Sequence, residues 1–175
     1  MLHLREIQPV SFPSIWATIG AFDGVHLGHQ AVIRAMVAAA KQNNKTTAVI
    51  TFHPHPAVVL RSLDMPFYLT TPQEKARYFE ELGIDITITL NFTSDMAALD
   101  PEAFIQMLTR DLPLHKIWVG SDFAFGKARS GTLPILRNLG AHFGFGVVET
   151  SFTMLDEQKI SSSQIRKHLV ADQLD

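Results

Sequence analysis

Short apolar runs alternate along the chain with longer segments in which apolar residues recur at helical spacing. The apolar runs are nearly continuous and rich in β-branched residues, which is typical of strands buried on both faces of a parallel sheet. They predict five strands, over residues 15 to about 22, 46–52, 84–90, 115–120 and 145–150. Residues 1–14 contain Pro9 and Pro13 and are predicted to be a lead-in that forms no helix.

The segments between these runs predict helices. Residues 27–42 have helical periodicity, and the pair Asn43-Asn44 ends that helix. The sequence TPQE, residues 71–74, combines a threonine cap, a proline at the first helical position and a glutamate at the third, and it predicts a helix that runs to Leu82 and ends at Gly83. Further helices are predicted over residues 100–110, 132–143 and 161–169, a short helix is expected to begin near 58–60, and 67–69 are expected to be extended.

This alternation of strands and helices predicts a single α/β domain over residues 1–175, a doubly wound parallel sheet of about five strands with helices on both faces. Such sheets bind ligands beyond the carboxyl ends of their strands, at the point where the strand order reverses. The loops at that edge are therefore the candidate functional segments.

Composition narrows the class of protein. Hydrophobic residues make up 46% of the chain and charged residues 18%, so a disordered chain is excluded. The formal net charge of -2 gives no sign of a nucleic-acid partner. Because cysteine is absent, disulfides and thiolate ligands are excluded, and a cytoplasmic location is expected. The first residues lack the apolar run of a signal peptide, and no stretch approaches the ~20 apolar residues of a membrane span.

The end of the first predicted strand carries the first candidate chemistry, in the sequence TIGAFDGVHLGHQ, residues 18–30. Its glycines, Gly20, Gly24 and Gly28, allow backbone conformations barred to other residues or the close approach of a ligand. The helix that follows offers unpaired N–H groups and the positive end of its dipole, a common phosphate-binding arrangement. His26 and His29 share one face of its first turn and could donate hydrogen bonds to phosphate oxygens. By itself the pair could equally lie on the surface, and a zinc site would need further ligands.

Two later segments are candidate anion sites as well. Residues 120–131, GSDFAFGKARSG, combine aromatic side chains that look exposed with Lys127 and Arg129, which suits a flat ring system carrying anionic groups. The alternative is that the phenylalanines, Phe123 among them, pack back into the core. The serine run of ISSSQIR, residues 160–166, could be a helix cap alone, but together with Arg166 it would make a second phosphate clamp.

Four segments in this order, GAFDGVHLGH, TFHPHP, VGSDFAFGKARSG and ISSSQIR, closely resemble the adenylyltransferase module of bacterial FAD synthetases. Those proteins are usually bifunctional riboflavin kinase/FMN adenylyltransferases. The His-x-Gly-His element alone would indicate only the broader nucleotidyltransferase superfamily, whereas the aromatic loop and the PHP loop are similar to the flavin branch. The resemblance covers nearly the whole chain.

The resemblance implies a Rossmann-like fold of the nucleotidyltransferase type and transfer of AMP from Mg-ATP to FMN, which gives FAD and pyrophosphate. It implies that His26 and His29 hold the ATP phosphates and stabilise the transition state, and that Arg166 grips the departing phosphates. It places in the ATP site Gly20, Phe22, Asp23, Gly28, Ser161 and Ser162, and on the flavin side His55, Pro56, Asp122 and Phe125. It implies no metal held by protein ligands alone, since Mg²⁺ comes with ATP, and no nucleic-acid or membrane partner.

The chain also departs from the family pattern. His53 stands where the family often has an acidic residue, Ala57 where a basic one is common, and Ala21 where asparagine is frequent. Ser163 replaces a common threonine and keeps the hydroxyl. The chain ends at Asp175, where the family usually continues into a riboflavin kinase domain, so that domain is expected to be absent here or to belong to a longer protein.

Three other functions stay open from the sequence. The chain could be a non-catalytic flavin- or nucleotide-binding module. It could be a metal-binding module built from His26, His29, His53 and His55, which lie after two predicted strands. It could also be a related adenylyl- or cytidylyltransferase with another phosphate acceptor.

Overall fold

The computed structural model describes residues 1–61, 68–150 and 161–171. Within these residues the fold is built on a parallel sheet of six strands in the order β1-β4-β3-β2-β5-β6. The strands are β1 (Leu2–Leu4), β2 (Ile15–Ile19), β3 (Thr46–Phe52), β4 (Ile86–Leu90), β5 (Leu114–Gly120) and β6 (Gly146–Thr150). The α/β fold class predicted from the sequence is confirmed.

Helices cover both faces of this sheet. They are α1 (Leu27–Gln42), α2 (Pro56–Arg61), α3 (Pro72–Glu81), α4 (Ser94–Ala98), α5 (Pro101–Asp111), α6 (Leu133–Phe143) and α7 (Ser162–Val170). Helices α1 and α3 bury Ile33, Met36 and Phe79 on one face, and α5 and α6 bury Ile105 and Leu136 on the other. None of the helices in the described part of the chain has the length and hydrophobicity to cross a membrane.

Three predictions about the sheet are wrong. The first predicted strand, expected to run to about residue 22, ends at Ile19, where the turn that contains Gly20 begins. The strand number is six, because residues 2–4 of the predicted lead-in form β1, which pairs with β4. This three-residue edge strand buries only Leu4, so it has no apolar run to signal it. The predicted strand over 84–90 begins two residues later, because the Ile84 N–H closes the end of α3 by donating to the Phe79 carbonyl.

The helix boundaries follow local signals closely. Thr71 and Glu74 form the expected capping box at the start of α3, and Leu82 caps its end before Gly83, which adopts a φ of 88°. The short α4 was not predicted; Thr93 caps it, and its side chain accepts the Met96 N–H. Of the predicted extended segment 67–69, residue 67 lies outside the described residues, as does residue 160 of the serine-rich segment.

The order of the strands shows at which end of the sheet a ligand is expected to bind. Strand β2 lies between β3 and β5, so the chain runs outward through β3 and β4 on one side and returns to β5 and β6 on the other. The loops that follow β2 and β5 therefore face each other at the switch point, which is where open α/β sheets bind ligands.

Candidate active site

A cavity of about 550 Å³ opens at this edge, within the size range of small-ligand sites. The sequence-predicted site residues that line it are Gly20, Phe22, His29, His55, Pro56, Asp122 and Phe125. Its apolar side is completed by Phe52, Phe92, Met96 and Phe104, which come from the end of β3, the loop before α4, α4 itself and α5. Arg61 and Arg129 also line the cavity and supply two positive charges.

The glycine-rich turn, residues 20–26, leaves β2 in a strained conformation. Phe22, Gly24 and Val25 have φ values of 49°, 78° and 39°, and Val25 is a β-branched residue for which a positive φ is a genuine outlier. At Gly24 a Cβ atom would also lie 2.8 Å from Leu69 Cδ1. By contrast, Gly20 and Gly28 take no positive φ, and Gly28 lies in the first turn of α1. Strain of this kind persists only where the surroundings hold it, and it clusters at functional sites.

His26 and His29 meet at the N-terminus of α1. His26 is the N-cap residue, and its Nδ1 accepts the His29 N–H at 3.4 Å. The two imidazole rings stack with their centroids 3.6 Å apart, and the Phe22 ring contacts His29 edge-on. Among the described residues, His29 Nδ1 is buried and has no hydrogen-bond partner. A buried ring nitrogen with no protein partner beside a cavity is a candidate contact for a ligand.

Both histidines are held neutral near pH 7. Burial, with the neighbouring His26 as the next cause, lowers the pKa of His29 to about 3. Burial also lowers the pKa of His26, against the opposing charge of Asp122. A neutral imidazole has one N–H donor and one acceptor, so His29 can donate one hydrogen bond without carrying a full charge.

Asp23 connects three segments rather than facing the cavity. Its carboxylate is 1% exposed and accepts N–H groups from Leu69 and Thr70 at 3.0 to 3.1 Å and the Thr70 hydroxyl at 3.2 Å. It also forms an ion pair with Arg166 of α7. The Asp23 carbonyl accepts the Ser162 hydroxyl at 2.8 Å. Asp23 therefore joins the glycine-rich turn to residues 69–70 and to α7.

The serine-rich start of α7, residues 161–166, is close to the turn but is not part of the described lining of the cavity. Ser161 is the N-cap of α7, and its hydroxyl accepts the Gln164 N–H at 3.3 Å. Ser162 and Arg166 bind Asp23. The capping role weighed from the sequence is present, and the contact with Asp23 is one that the sequence did not reveal.

The loop after β5 turns its aromatic residues inward. Phe125 is 7% exposed, stacks on Phe123 and contacts Phe104, while its backbone pairs with Gly131. The expectation of exposed aromatics is therefore wrong for Phe125, which belongs to the core and presents an edge to the cavity. Asp122 stays exposed at the cavity mouth.

The loop after β3 supplies the remaining predicted residues. His55 Nδ1 accepts the Ala57 N–H at 3.0 Å, and burial is the main cause that lowers the pKa of His55 to about 4. Pro56 opens α2 beside it. The four histidines of the metal-binding alternative do not form a metal site, since the described residues contain no group of three or more histidine, aspartate or glutamate side chains able to hold an ion.

Comparison with known proteins decides the family. The family model for FAD synthetase matches residues 10–164. The chain belongs to the FAD synthetase family. The resemblance seen in the four sequence segments is thus confirmed.

Individual relatives support this assignment. The chain is 37% identical over 175 residues to a bifunctional riboflavin kinase/FMN adenylyltransferase of Buchnera aphidicola, covering 99% of this chain and 55% of that protein. It is 38% identical over 150 residues to a FAD synthetase of Listeria monocytogenes, covering 85% of this chain and 61% of that protein. The chain therefore spans little more than half the length of these relatives.

A solved structure confirms the fold. A crystal structure described as a macrolide-efflux protein from Streptococcus pneumoniae has a TM-score of 0.81 and 26% identity to this chain. The match covers 95% of this chain and 55% of that one. The α/β architecture of this FAD synthetase family member is thus found in an experimental structure.

One polar residue near the site was missed from the sequence. Lys75 of α3 is 4% exposed, and its ammonium group lies beside the ends of β2 and β3. Within the charged stretch of α3 a lysine is usually interpreted as solvent-facing. Its spacing could have indicated burial, because Lys75 and Phe79 are four residues apart and therefore share one face of the helix, which is the buried one.

Proposed function

We propose that this chain transfers AMP from ATP to FMN and so produces FAD and pyrophosphate. The observation that carries the proposal is one cavity lined both by His29, from the first turn of α1, and by several phenylalanines. The helix N-terminus suits phosphate, and the phenylalanines suit a flat aromatic ring. The relatives named as FMN adenylyltransferases and FAD synthetases support the same reaction for this chain.

The proposed reaction needs no covalent intermediate with the protein. A phosphate oxygen of FMN attacks the α-phosphorus of ATP in line, and pyrophosphate leaves, so that no protein nucleophile is needed. Positioning and stabilisation of the developing charge are sufficient. We assign the charge stabilisation to His26 and His29, whose neutral rings and helix N-terminus lie where the phosphates would be held.

Arg166, Ser161 and Ser162 are proposed to contact the β- and γ-phosphates. In the structure Arg166 pairs with Asp23, but a guanidinium carries five N–H donors, so this pairing is compatible with a phosphate contact. Asp23 would then act by orienting Arg166, rather than by touching ATP. Gly20, Phe22 and Gly28 are proposed to shape the nucleotide side of the cavity.

The flavin is proposed to lie against the phenylalanines, with Phe125, Pro56, His55 and Asp122 around it. Arg61 and Arg129, which line the same cavity, are suited to the phosphate of FMN because guanidinium groups bind phosphate with paired hydrogen bonds.

Mg²⁺ bound with ATP fits the residues present. Mg²⁺ is usually held by substrate phosphates, water and one or two carboxylates. The described cavity lining contains one carboxylate, that of Asp122, and its charge acts on both His26 and His29. Asp122 would hold the ion, which would neutralise phosphate charge. The carboxylate of Asp23 is already committed to Arg166 and to backbone N–H groups.

A panel of substrates tests the proposal. The purified chain is incubated with ATP or CTP, Mg²⁺, and FMN, phosphopantetheine or nicotinamide mononucleotide as acceptor, and the products are separated by chromatography. We expect FAD from ATP and FMN, and little product from any other pair. A preferred acceptor other than FMN would establish the alternative transferase, and binding of ATP and FMN without turnover would establish the non-catalytic module. The single domain over residues 1–175 and the cytoplasmic location stay predictions.

A further inference from the structure

We propose that Lys75 is a positioning residue of the transfer site, which holds the glycine-rich turn against the end of β3 and thereby orients His29. The inference rests on the proposed function, because the site that Lys75 organises is the one assigned to the ATP phosphates. It concerns a helix, α3, that contributes no residue to the described lining of the cavity.

The contacts of Lys75 use its whole ammonium group. Nζ donates to the Ala21 carbonyl at 3.1 Å, to Thr51 Oγ1 at 3.2 Å and to the Phe52 carbonyl at 3.3 Å. Thr51 Oγ1 in turn donates to the Ala21 carbonyl at 3.0 Å. An ammonium group has three donors, and here each has an acceptor. Lys75 therefore ties the first residues after β2 to the last residues of β3.

These contacts act next to Phe22, one of the strained residues of the turn. Ala21 directly precedes Phe22, whose φ is 49°, and the Phe22 ring contacts both His29 and Phe79 edge-on. Helix α3 thus holds the turn in two ways, by the ammonium group of Lys75 at Ala21 and by the ring of Phe79 at Phe22. Displacement of Ala21 would move Phe22, and with it the ring packed against His29.

A purely structural role does not explain a charge at this position. Burying an ammonium group is costly, and apolar residues of similar volume often stabilise a fold as well or better. Burial lowers the pKa of Lys75 to about 8, against the opposing charge of Asp23, so the charged form prevails at neutral pH. The other charges and titratable groups that face this cluster are Asp23, His29, His53, His55 and Arg166. Burial is the main cause that lowers the pKa of each of the three histidines, and the positive charge of Lys75 acts in the same direction.

The absence of cysteine from the chain allows a direct test. Lys75→Cys introduces a unique thiol, which is alkylated in denaturant and refolded. Bromoethylamine converts it into a close analogue of lysine, whereas iodoacetamide adds a neutral chain of similar length. The same two treatments of Lys41→Cys, an exposed position at the end of α1, provide the matched control.

We expect the neutral adduct at position 75 to lower kcat for FAD formation by roughly 10- to 100-fold, the scale for a displaced catalytic group, with the KM for ATP within threefold of wild type. The aminoethyl adduct is expected to restore kcat to within fivefold of wild type. Both adducts at position 41 should match the wild type. A kcat within threefold of wild type for the neutral adduct, or equal losses for both adducts at position 75, would overturn the proposal.

One further measurement distinguishes failure of this proposal from failure of the proposed function. The His29 ring protons, observed by NMR, should shift in the neutral adduct because the Phe22 ring moves, and should return in the aminoethyl adduct. The NMR shift does not depend on activity, so it is expected even if the chain transfers AMP to another acceptor or to none. Failure of the proposed function can therefore be told apart from failure of this proposal. Unchanged His29 resonances in the neutral adduct would overturn the role of Lys75.

Should the neutral adduct fail to refold, Thr51→Val provides the second variant. It removes the hydroxyl between Lys75 and Ala21, and a three- to tenfold fall in kcat is expected. Thr47→Val, a buried threonine on the same strand that binds Asp85 at the opposite edge, should leave kcat unchanged. Equal kcat values in these two variants would contradict the proposal.

Discussion

The glycine-rich turn and the serine-rich start of α7 both carry phosphate-binding signals, yet the structure uses them differently. In the turn, His29 Nδ1 is buried beside the cavity with no hydrogen-bond partner among the described residues. At α7, Ser162 and Arg166 bind Asp23. The first segment is therefore ready for a ligand, whereas the second is held in place by the first. Two segments with similar phosphate-binding signals can thus differ in structure: one presents an unpaired ring nitrogen to the cavity, and the other is bound to the first.

The largest expected effect comes from the turn itself. His29→Ala should lower kcat by about 10²–10³, the usual scale for a preorganised donor to developing charge. Flavin affinity should change little, since the flavin is assigned to other residues of the cavity, chiefly the phenylalanines. Steady-state kinetics with FMN titration measures both quantities. His115→Ala, at an exposed position of β5, is the control, and a His29→Ala kcat within threefold of wild type would remove His29 from the mechanism.

A smaller effect is expected at α7, mainly on the use of ATP. Arg166→Lys keeps the charge but loses the planar fork, so kcat/KM for ATP should fall by roughly tenfold, and Arg166→Ala should lower it further. Lys167→Ala, at the exposed neighbouring position, should have no effect. Wild-type ATP kinetics in Arg166→Ala would show that the ISSSQIR segment is only a helix start.

Asp23→Asn tests whether the two segments depend on each other. The amide loses the ion pair with Arg166, so the free energy of unfolding should fall by about 1–3 kcal/mol. Because α7 is then held less firmly, proteolysis near α7 should accelerate. Asp111→Asn is the control, since its ion pair with Arg110 lies outside the site. Unchanged proteolysis would mean that Asp23 does not hold α7.

Stability should also depend on pH. His29 and His55 have folded-state pKa values of about 3 and about 4, below the 6.5 of an unfolded chain. Between pH 6.5 and 4 the unfolded chain therefore binds more protons, so stability is complete above pH 6.5 and falls as the pH is lowered. Thermal unfolding at pH 7.5 and 5 measures this fall in Tm. The fall should be smaller in His55→Gln, and an equal fall would contradict the pKa assignment.

Much of the fold could be predicted because its signals are local. The TPQE cap of α3, the apolar run of β3 and the periodicity of α1 each depend on neighbouring residues, and each is present in the structure. The edge strand β1 could not be predicted, since its three residues bury one side chain and gain their partner from β4, over 80 residues away.

The candidate site was predictable in its motifs but not in its long-range contacts. His26 and His29 are three residues apart, so their shared helix turn follows from the sequence. Asp23 pairs with Arg166, 143 residues later, and Lys75 reaches Ala21 across 54 residues. Neither pairing leaves a local pattern. The inward orientation of Phe125 likewise depends on its contact with Phe104 of α5.

The central claim is that this chain transfers AMP from ATP to FMN in the cavity described above. ATP labelled at the α-phosphate is incubated with Mg²⁺, FMN and the folded chain, and flavins and pyrophosphate are separated and quantified. We predict labelled FAD and unlabelled pyrophosphate in equal amounts from the wild type, and at least a hundredfold less of both from His29→Ala. Protein that is folded by circular dichroism and binds ATP and FMN, but yields no labelled FAD, would contradict the account.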